Sequence, residues 1–183
     1  MISANRASYS PLLVIMGVAG SGKTTLGTAL SQRLGTSFAD ADSFHNAANI
    51  AKMSAGIALD DDDRQPWLRA LSEWLAGRVT TGGVLCCSAL KHAYRNVLRE
   101  ASPTLTFVHL NPDLEVVRRR MAARPAHFMP VSLIDSQFDA LEPLAANENG
   151  ITLSIDVPID ELVASCLTAV LPVGEGTDTP VRT

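Results

Sequence analysis

Lysine is nearly missing from this 183-residue chain. Of its 15 Lys+Arg only Lys23, Lys52 and Lys91 are lysines, against 19 Asp+Glu, and the formal net charge is -4. That balance excludes a polyanion or anionic-membrane binder working by bulk electrostatics, which needs an excess of cations to displace counterions. Cysteine is also scarce: Cys86, Cys87 and Cys166 are odd in number, two are adjacent, and all lie in apolar runs. They read as reduced core thiols rather than a disulfide or zinc framework, which implies a cytoplasmic protein. No apolar run approaches the roughly 20 residues of a membrane helix, so no membrane partner is expected. The polar stretch from Met1 to Pro11 has no apolar segment and is not a signal peptide.

What is present is enough for one packed domain: 46% of residues are hydrophobic and the mean hydropathy is +0.14. Leu12 to Met16 is a continuous apolar run ending at Gly17, the pattern of a strand buried on both faces. Gly83 to Ser88, Leu105 to Leu110 and Ile151 to Ile155 read likewise, and Thr36 to Ala39 forms a shorter segment. Between them lie helical periods. One runs through Trp67, Leu68, Leu71, Trp74 and Leu75, with Pro66 suited to its first turn; another runs from Ile159 to Leu171 and ends at Pro172. Strands alternating with helices imply an α/β fold in which a mostly parallel sheet carries helices on both faces and binds ligands at the carboxyl ends of its strands. Residues 1–10 and 173–183, without periodicity, are expected to be flexible, leaving a domain over 11–172.

Gly17-Val18-Ala19-Gly20-Ser21-Gly22-Lys23-Thr24 matches the phosphate-loop pattern G-x-x-x-x-G-K-[ST], directly after the first strand and opening a helix. A chance match in a chain of this composition is expected roughly 0.002 times. Glycines let backbone N–H groups turn inward onto phosphate oxygens, Lys23 reaches the β/γ-phosphates, and the Thr24 hydroxyl ligates Mg²⁺. Thr25 follows in the same turn. Asp40 and Asp42 come next. If the strand continued through them, alternate residues would point the same way and both would face the loop; the competing reading is a helix N-cap at Asp42 or Ser43. Asp60-Asp61-Asp62-Asp63-Arg64 reads as an acidic turn plus first-turn carboxylates of the Trp67 helix, with Arg64 either paired to them or aimed at an anionic ligand.

Several further segments, in order, resemble the gluconate kinase family, small phosphate-loop kinases related to shikimate and nucleoside monophosphate kinases. They are D-A-D-S-F-H (Asp40 to His45), N-I-A-K-M (Asn49 to Met53), L-D-D-D-D-R-Q-P-W-L (Leu59 to Leu68), C-S-A-L-K-H-A-Y-R (Cys87 to Arg95), R-P-A-H-F-M-P (Arg124 to Pro130) and S-Q-F-D-A-L-E-P (Ser136 to Pro143). The resemblance covers about residues 12 to 171. It implies a three-layer fold with a five-stranded parallel sheet and a lid at about 123–143. It also implies ATP-dependent phosphorylation of D-gluconate at its 6-hydroxyl, in gluconate catabolism, with ATP and Mg²⁺ as cofactors. A kinase of shikimate or another small sugar acid, or a nucleotide-binding module that has lost catalysis, are the alternatives; homodimerisation is left open, and no nucleic acid is expected.

By the same resemblance, Asp42 orients or deprotonates the acceptor hydroxyl and Asp40 meets Mg²⁺ through water. His45, Lys52, Arg64, Ser88, Lys91 and Arg95 supply cations and polar groups for a polyhydroxy carboxylate. Arg120 and Arg124 share a helix face and clamp ATP phosphates, His127 is a lid or substrate contact, and Gln137, Trp67 and Trp74 are packing or surface residues. Three positions depart from the family pattern: Ala41 and Ala126 stand where Gly is usual, and Asn46 where Pro is usual. None removes a phosphate-, metal- or proton-handling group.

Overall fold

The computed structural model describes residues 10–122 and 131–171. Five strands, β1 (Leu12–Met16), β2 (Ser37–Asp40), β3 (Gly83–Cys86), β4 (Thr106–Leu110) and β5 (Gly150–Leu153), form one sheet in the order β2-β3-β1-β4-β5 with every pairing parallel. The helices are α1 (Lys23–Leu34), α2 (Ala47–Ser54), α3 (Asp61–Ala76), α4 (His92–Arg99), α5 (Leu114–Ala122), α6 (Val131–Ala140) and α7 (Ile159–Val170).

The run Leu12 to Met16 has no polar alternation because β1 is the central strand and is covered on both faces. Leu12, Val14 and Met16 pack with Leu68, Leu71 and Leu75 of α3 and Leu98 of α4. Leu13 and Ile15 point the other way, onto Leu26 and Leu30 of α1 and Val163 and Cys166 of α7. Three layers follow. A smaller cluster of Val18, Leu90, Val117 and Ile134 seats α5 and α6 beside the carboxyl edge of the sheet.

The structure corrects several expected boundaries. β3 stops at Cys86 and β5 at Leu153, short of Ser88 and Ile155, because the chain there leaves the ladder to form loops. β2 ends at Asp40 and the chain turns at once into a 3-10 helix, Ala41–Phe44, so Asp42 is not an extension of the strand. Its cap is Asp40, whose carboxylate accepts from Asp42 N–H, and α2 is capped by Asn46. In α3 the first turn is the aspartate run itself, with Asp60 and Asp63 forming a reciprocal capping box, and Pro66 lies in the second turn rather than the first.

The three cysteines are free and buried, and burial pushes each thiol up to about 12. Among the described residues no helix is long and apolar enough to cross a membrane. Cys86 also marks a close contact between α1 and the sheet, at Gly27. A Cβ on Gly27 would lie 2.4 Å from its Sγ and 3.1 Å from the Phe38 ring. Gly27→Ala is therefore expected to cost about 1–3 kcal/mol by overpacking, measured by urea unfolding. Most of that loss should return in the Gly27→Ala/Cys86→Ala double variant; purely additive losses would refute the steric cause.

Candidate active site

The phosphate loop turns out of β1 at Gly17, where φ is +138° and a Cβ would stand 2.6 Å from the Leu110 carbonyl oxygen. Only glycine fits there. Gly17 N–H donates to Ser88 O at 3.2 Å, tying the loop to the end of β3. Val18 is buried under α5 and α6, while Gly20 and Gly22, also at positive φ, carry the loop into α1. Ser21 is buried, and its Oγ has no hydrogen-bond partner among the described residues.

Lys23 Nζ folds back to donate to Gly17 O at 3.0 Å and Val18 O at 2.9 Å. Burial lowers its pKa, opposed by the surrounding thiols and by Asp42 and Asp40. Thr24 Oγ1 donates to Asp40 Oδ2 at 3.2 Å, and Asp42 N–H to Asp40 Oδ1 at 3.1 Å. A cavity of about 250 Å³ opens between them, lined by Ala19, Gly20, Gly22, Thr25, Lys23, Thr24, Asp40, Asp42 and Ser88, and by Met121 and Gln137 from α5 and α6. Cys86 and Cys87 also reach it, but as protonated thiols they are not nucleophiles.

Among the described residues no group of three or more His, Cys, Asp or Glu could hold a metal ion. The Thr24 hydroxyl beside the Asp40 carboxylate nevertheless suits a hard, oxygen-loving cation that keeps most of its waters and takes few protein ligands.

A second cavity, about 340 Å³, lies on the other side of the loop. Thr25 and Arg120 meet Leu110, Ile155, Val157 and Leu162 there. Arg120 donates to Ile155 O at 3.3 Å. Its neighbour Arg118 is held by Glu115 and Asp135, both at 2.9 Å. Arg124 and His127 lie outside the described residues.

The cations expected to hold a substrate carboxylate are gathered on the α2–α3–α4 side, and they are already paired. Lys52 binds Asp63 at 2.6 Å, which raises the lysine's pKa and lowers the aspartate's. Lys91 sits 3.0 Å from Asp61, whose carboxylate also accepts from Tyr94 Oη; that tyrosine bond, then the lysine, hold it below the usual carboxylate range. Arg64 lies against the Tyr94 ring, 5.8 Å from its centroid, and 3.8 Å from Asp61. His45 stacks on Trp67 with centroids 4.7 Å apart and planes at 6°, while Trp67 Nε1–H donates to Ala41 O at 2.7 Å. None of these four cation and imidazole positions lines either cavity, although His45 feels the charges of both Asp42 and Arg64.

Arg95 is a correction. It does not face a ligand: its side chain is fully buried and its guanidinium forks onto Glu148 at 2.7 and 2.8 Å. Gln137 is an omission. Its Oε1 accepts from Ala19 N–H of the phosphate loop at 2.6 Å, a contact between residues 118 apart in sequence that no local pattern announces. The walls of the second cavity escaped for the same reason, since Ile155 and Leu162 look like ordinary core positions.

A family model for shikimate kinase matches residues 19–139. The curated proteins reach further along the chain. The thermosensitive gluconokinase of Escherichia coli K12 is 42% identical over 87% of both chains, and a probable gluconokinase of Xenopus tropicalis 43% identical over 84% of this chain and 90% of its own. The chain belongs to the gluconokinase family. Among solved structures, a gluconokinase from Sinorhizobium meliloti 1021 superposes with a TM-score of 0.81 at 41% identity, covering 88% of this chain and 92% of that one. The shikimate kinase model begins at Ala19, two residues into the phosphate loop, and matches the wider fold.

Burial against Trp67 holds His45 below the ordinary value of 6.5, with Asp42 opposing and Arg64 assisting. His109, buried on β4, is lowered in the same way by burial and by Arg95. Below 6.5 the unfolded chain therefore binds more protons than the folded one, and stability falls as pH drops. His45→Gln should show a smaller fall in urea midpoint between pH 7 and pH 5 than the parent, with His109 and, towards pH 5, Glu148 contributing to the slope that remains. An unchanged slope would refute His45's share.

Proposed function

We propose that this gluconokinase-family chain transfers the γ-phosphoryl group of ATP to the 6-hydroxyl of D-gluconate, giving 6-phospho-D-gluconate and ADP. The observation that carries the reading is the single cavity in which the Lys23–Thr24 phosphate loop faces Asp40 and Asp42, in a chain 42% identical to a gluconokinase along most of its length.

The roles rest on the family resemblance, and position supports them where the residues are described. Backbone N–H groups of Gly20 to Thr24 and the N-terminus of α1 hold the phosphates. Lys23, which now donates only to loop carbonyls, exchanges them for phosphate oxygens. Thr24 and, through water, Asp40 are the residues that would hold Mg²⁺, which when bound neutralises charge on the transferred group. Asp42 takes the proton of the attacking hydroxyl or orients it. Arg120 guards the second cavity, whose apolar walls fit the nucleoside end of ATP; Arg124 and His127 are assigned to a lid at about 123–143 within a domain of 11–172. Ser88 touches the acceptor. His45, Lys52, Arg64 and Lys91 offer the sugar acid its cationic and polar contacts, and because all three cations are already paired, its carboxylate enters by exchange with Asp61 and Asp63. Buried thiols and the want of a membrane-length helix among the described residues support a cytoplasmic setting.

The purified chain with Mg-ATP should release ADP on addition of D-gluconate and much less with shikimate or other sugar acids; preference for shikimate would replace the reading. Asp42→Asn should lower kcat by about 10²–10⁴ while ATP still binds, and near-normal turnover would remove its assignment as base. Lys23→Ala should abolish turnover by loss of phosphate positioning; retained activity would remove the loop's role.

A further inference from the structure

Arg95 and Glu148 are the largest investment in buried charge among the described residues, and neither touches the cavity. Both side chains are fully buried. Every edge of the guanidinium is used. Nε and Nη2 donate to the two carboxylate oxygens of Glu148, Nη1 donates to the carbonyls of Ala89, Leu90 and Glu142 at 3.1 Å each, and Nη2 also donates to Pro143 O at 3.3 Å. Glu148 in turn accepts from Ala145 N–H at 2.9 Å. One ion pair thus joins the loop after β3 to the segment that follows α6.

The first of these segments carries Ser88 and the second is continuous with α6, which carries Gln137; both residues line the cavity. Ser88 immediately precedes Ala89, the one non-glycine residue with positive φ (43°) among the described residues, a conformation that side-chain-bearing residues keep only when their surroundings enforce it. The Ser88 carbonyl also receives Gly17 N–H of the phosphate loop. Directly after α6, Glu142 N–H donates to Leu90 O at 2.9 Å and its carboxylate accepts from His92 N–H, pinning the end of that helix. From that helix Gln137 reaches Ala19 N–H.

We infer that the buried Arg95–Glu148 pair is a positioning element for phosphoryl transfer, holding Ser88 and Gln137 at fixed separation across the phosphate loop. Arg95 acts through Ser88 by gripping the Ala89 and Leu90 carbonyls, and through Gln137 by gripping the Glu142 and Pro143 carbonyls. A lysine cannot replace it, because three donors on a single nitrogen cannot reproduce a planar fork serving a carboxylate and four carbonyls. The inference rests on the proposed function only in naming the cavity as the site of transfer.

The test uses the full chain with Arg95→Lys, Glu148→Gln, Ser88→Ala and the pairwise combinations, each first checked for a cooperative melt. In folded Arg95→Lys and Glu148→Gln, kcat for gluconate should fall about 10–100-fold while the KM for ATP stays within about twofold, since the reacting groups are misplaced and the nucleotide is not. In the Ser88→Ala background the same changes should cost at least about threefold less, because a shared route makes the losses non-additive. Amide exchange at Gly17 and Ala19 should lose protection in Glu148→Gln, a readout that needs no turnover. Wild-type kcat in either folded variant, full additivity with Ser88→Ala, or unchanged exchange would each overturn the inference. If Arg95→Lys does not fold, Glu148→Gln and its Ser88→Ala combination decide. A parent enzyme inert towards gluconate would count against the proposed function alone, with the exchange measurement still deciding this one.

Discussion

The active edge of this molecule depends on one close approach, the passage of Gly17 past the end of β4. A Cβ there would meet the Leu110 carbonyl at 2.6 Å, and the same residue's N–H is bonded to the Ser88 carbonyl, two residues past the end of β3. Three strand ends are thereby stitched together before any ligand is considered. The phosphate loop can curl only because this corner is tight, and Lys23, Thr24 and the first turn of α1 take their direction from it. Asp40 reaches Thr24 because β2 pairs with β3 in parallel and ends level with Cys86.

Charge is used in two different ways. On the α2–α3–α4 side Lys52, Lys91 and Arg64 pair with Asp63 and Asp61 in half-exposed positions, where water screens the attraction and partners exchange at little cost. Such pairs contribute little to stability, and under the proposed function they suit a surface that receives an anionic, hydroxylated substrate. The Arg95–Glu148 pair is the opposite case. Out of water, removal of one partner alone costs about 3–5 kcal/mol, so it works as a fixed joint.

Much of the architecture was legible because its signals are local. Continuous apolar runs marked the buried parallel strands, and the glycines and Lys-Thr of residues 17 to 24 marked the anion site through backbone geometry alone. The acidic run was legible as a helix start, and Asp60 with Asp63 does cap α3. Where the reading misplaced residues, a short turn or a non-local contact had intervened. Asp40 and Asp42 do line one cavity, but through a 3-10 turn that Asp40 itself caps, not through strand alternation. Arg95 carried the marks of a ligand-binding cation in its segment, and only the return of Glu148 to the same spot, 53 residues later, shows it to be internal.

The sequence by itself determined the layers and the phosphate site, since each follows from periodicity or from a short run whose backbone must take one shape; the reaction class came through the resemblance of its ordered motifs to the gluconate kinase family. Tertiary structure alone decided which cations are exposed to a substrate and which are consumed inside, that Gln137 rather than a loop residue caps Ala19 N–H, and that Ile155, Val157 and Leu162 wall a second cavity. The reason is physical. A side chain's chemistry is written in its residue type, but its availability depends on what the folded chain brings against it, and for Arg95 that was a carboxylate supplied from just before β5, the far edge of the sheet.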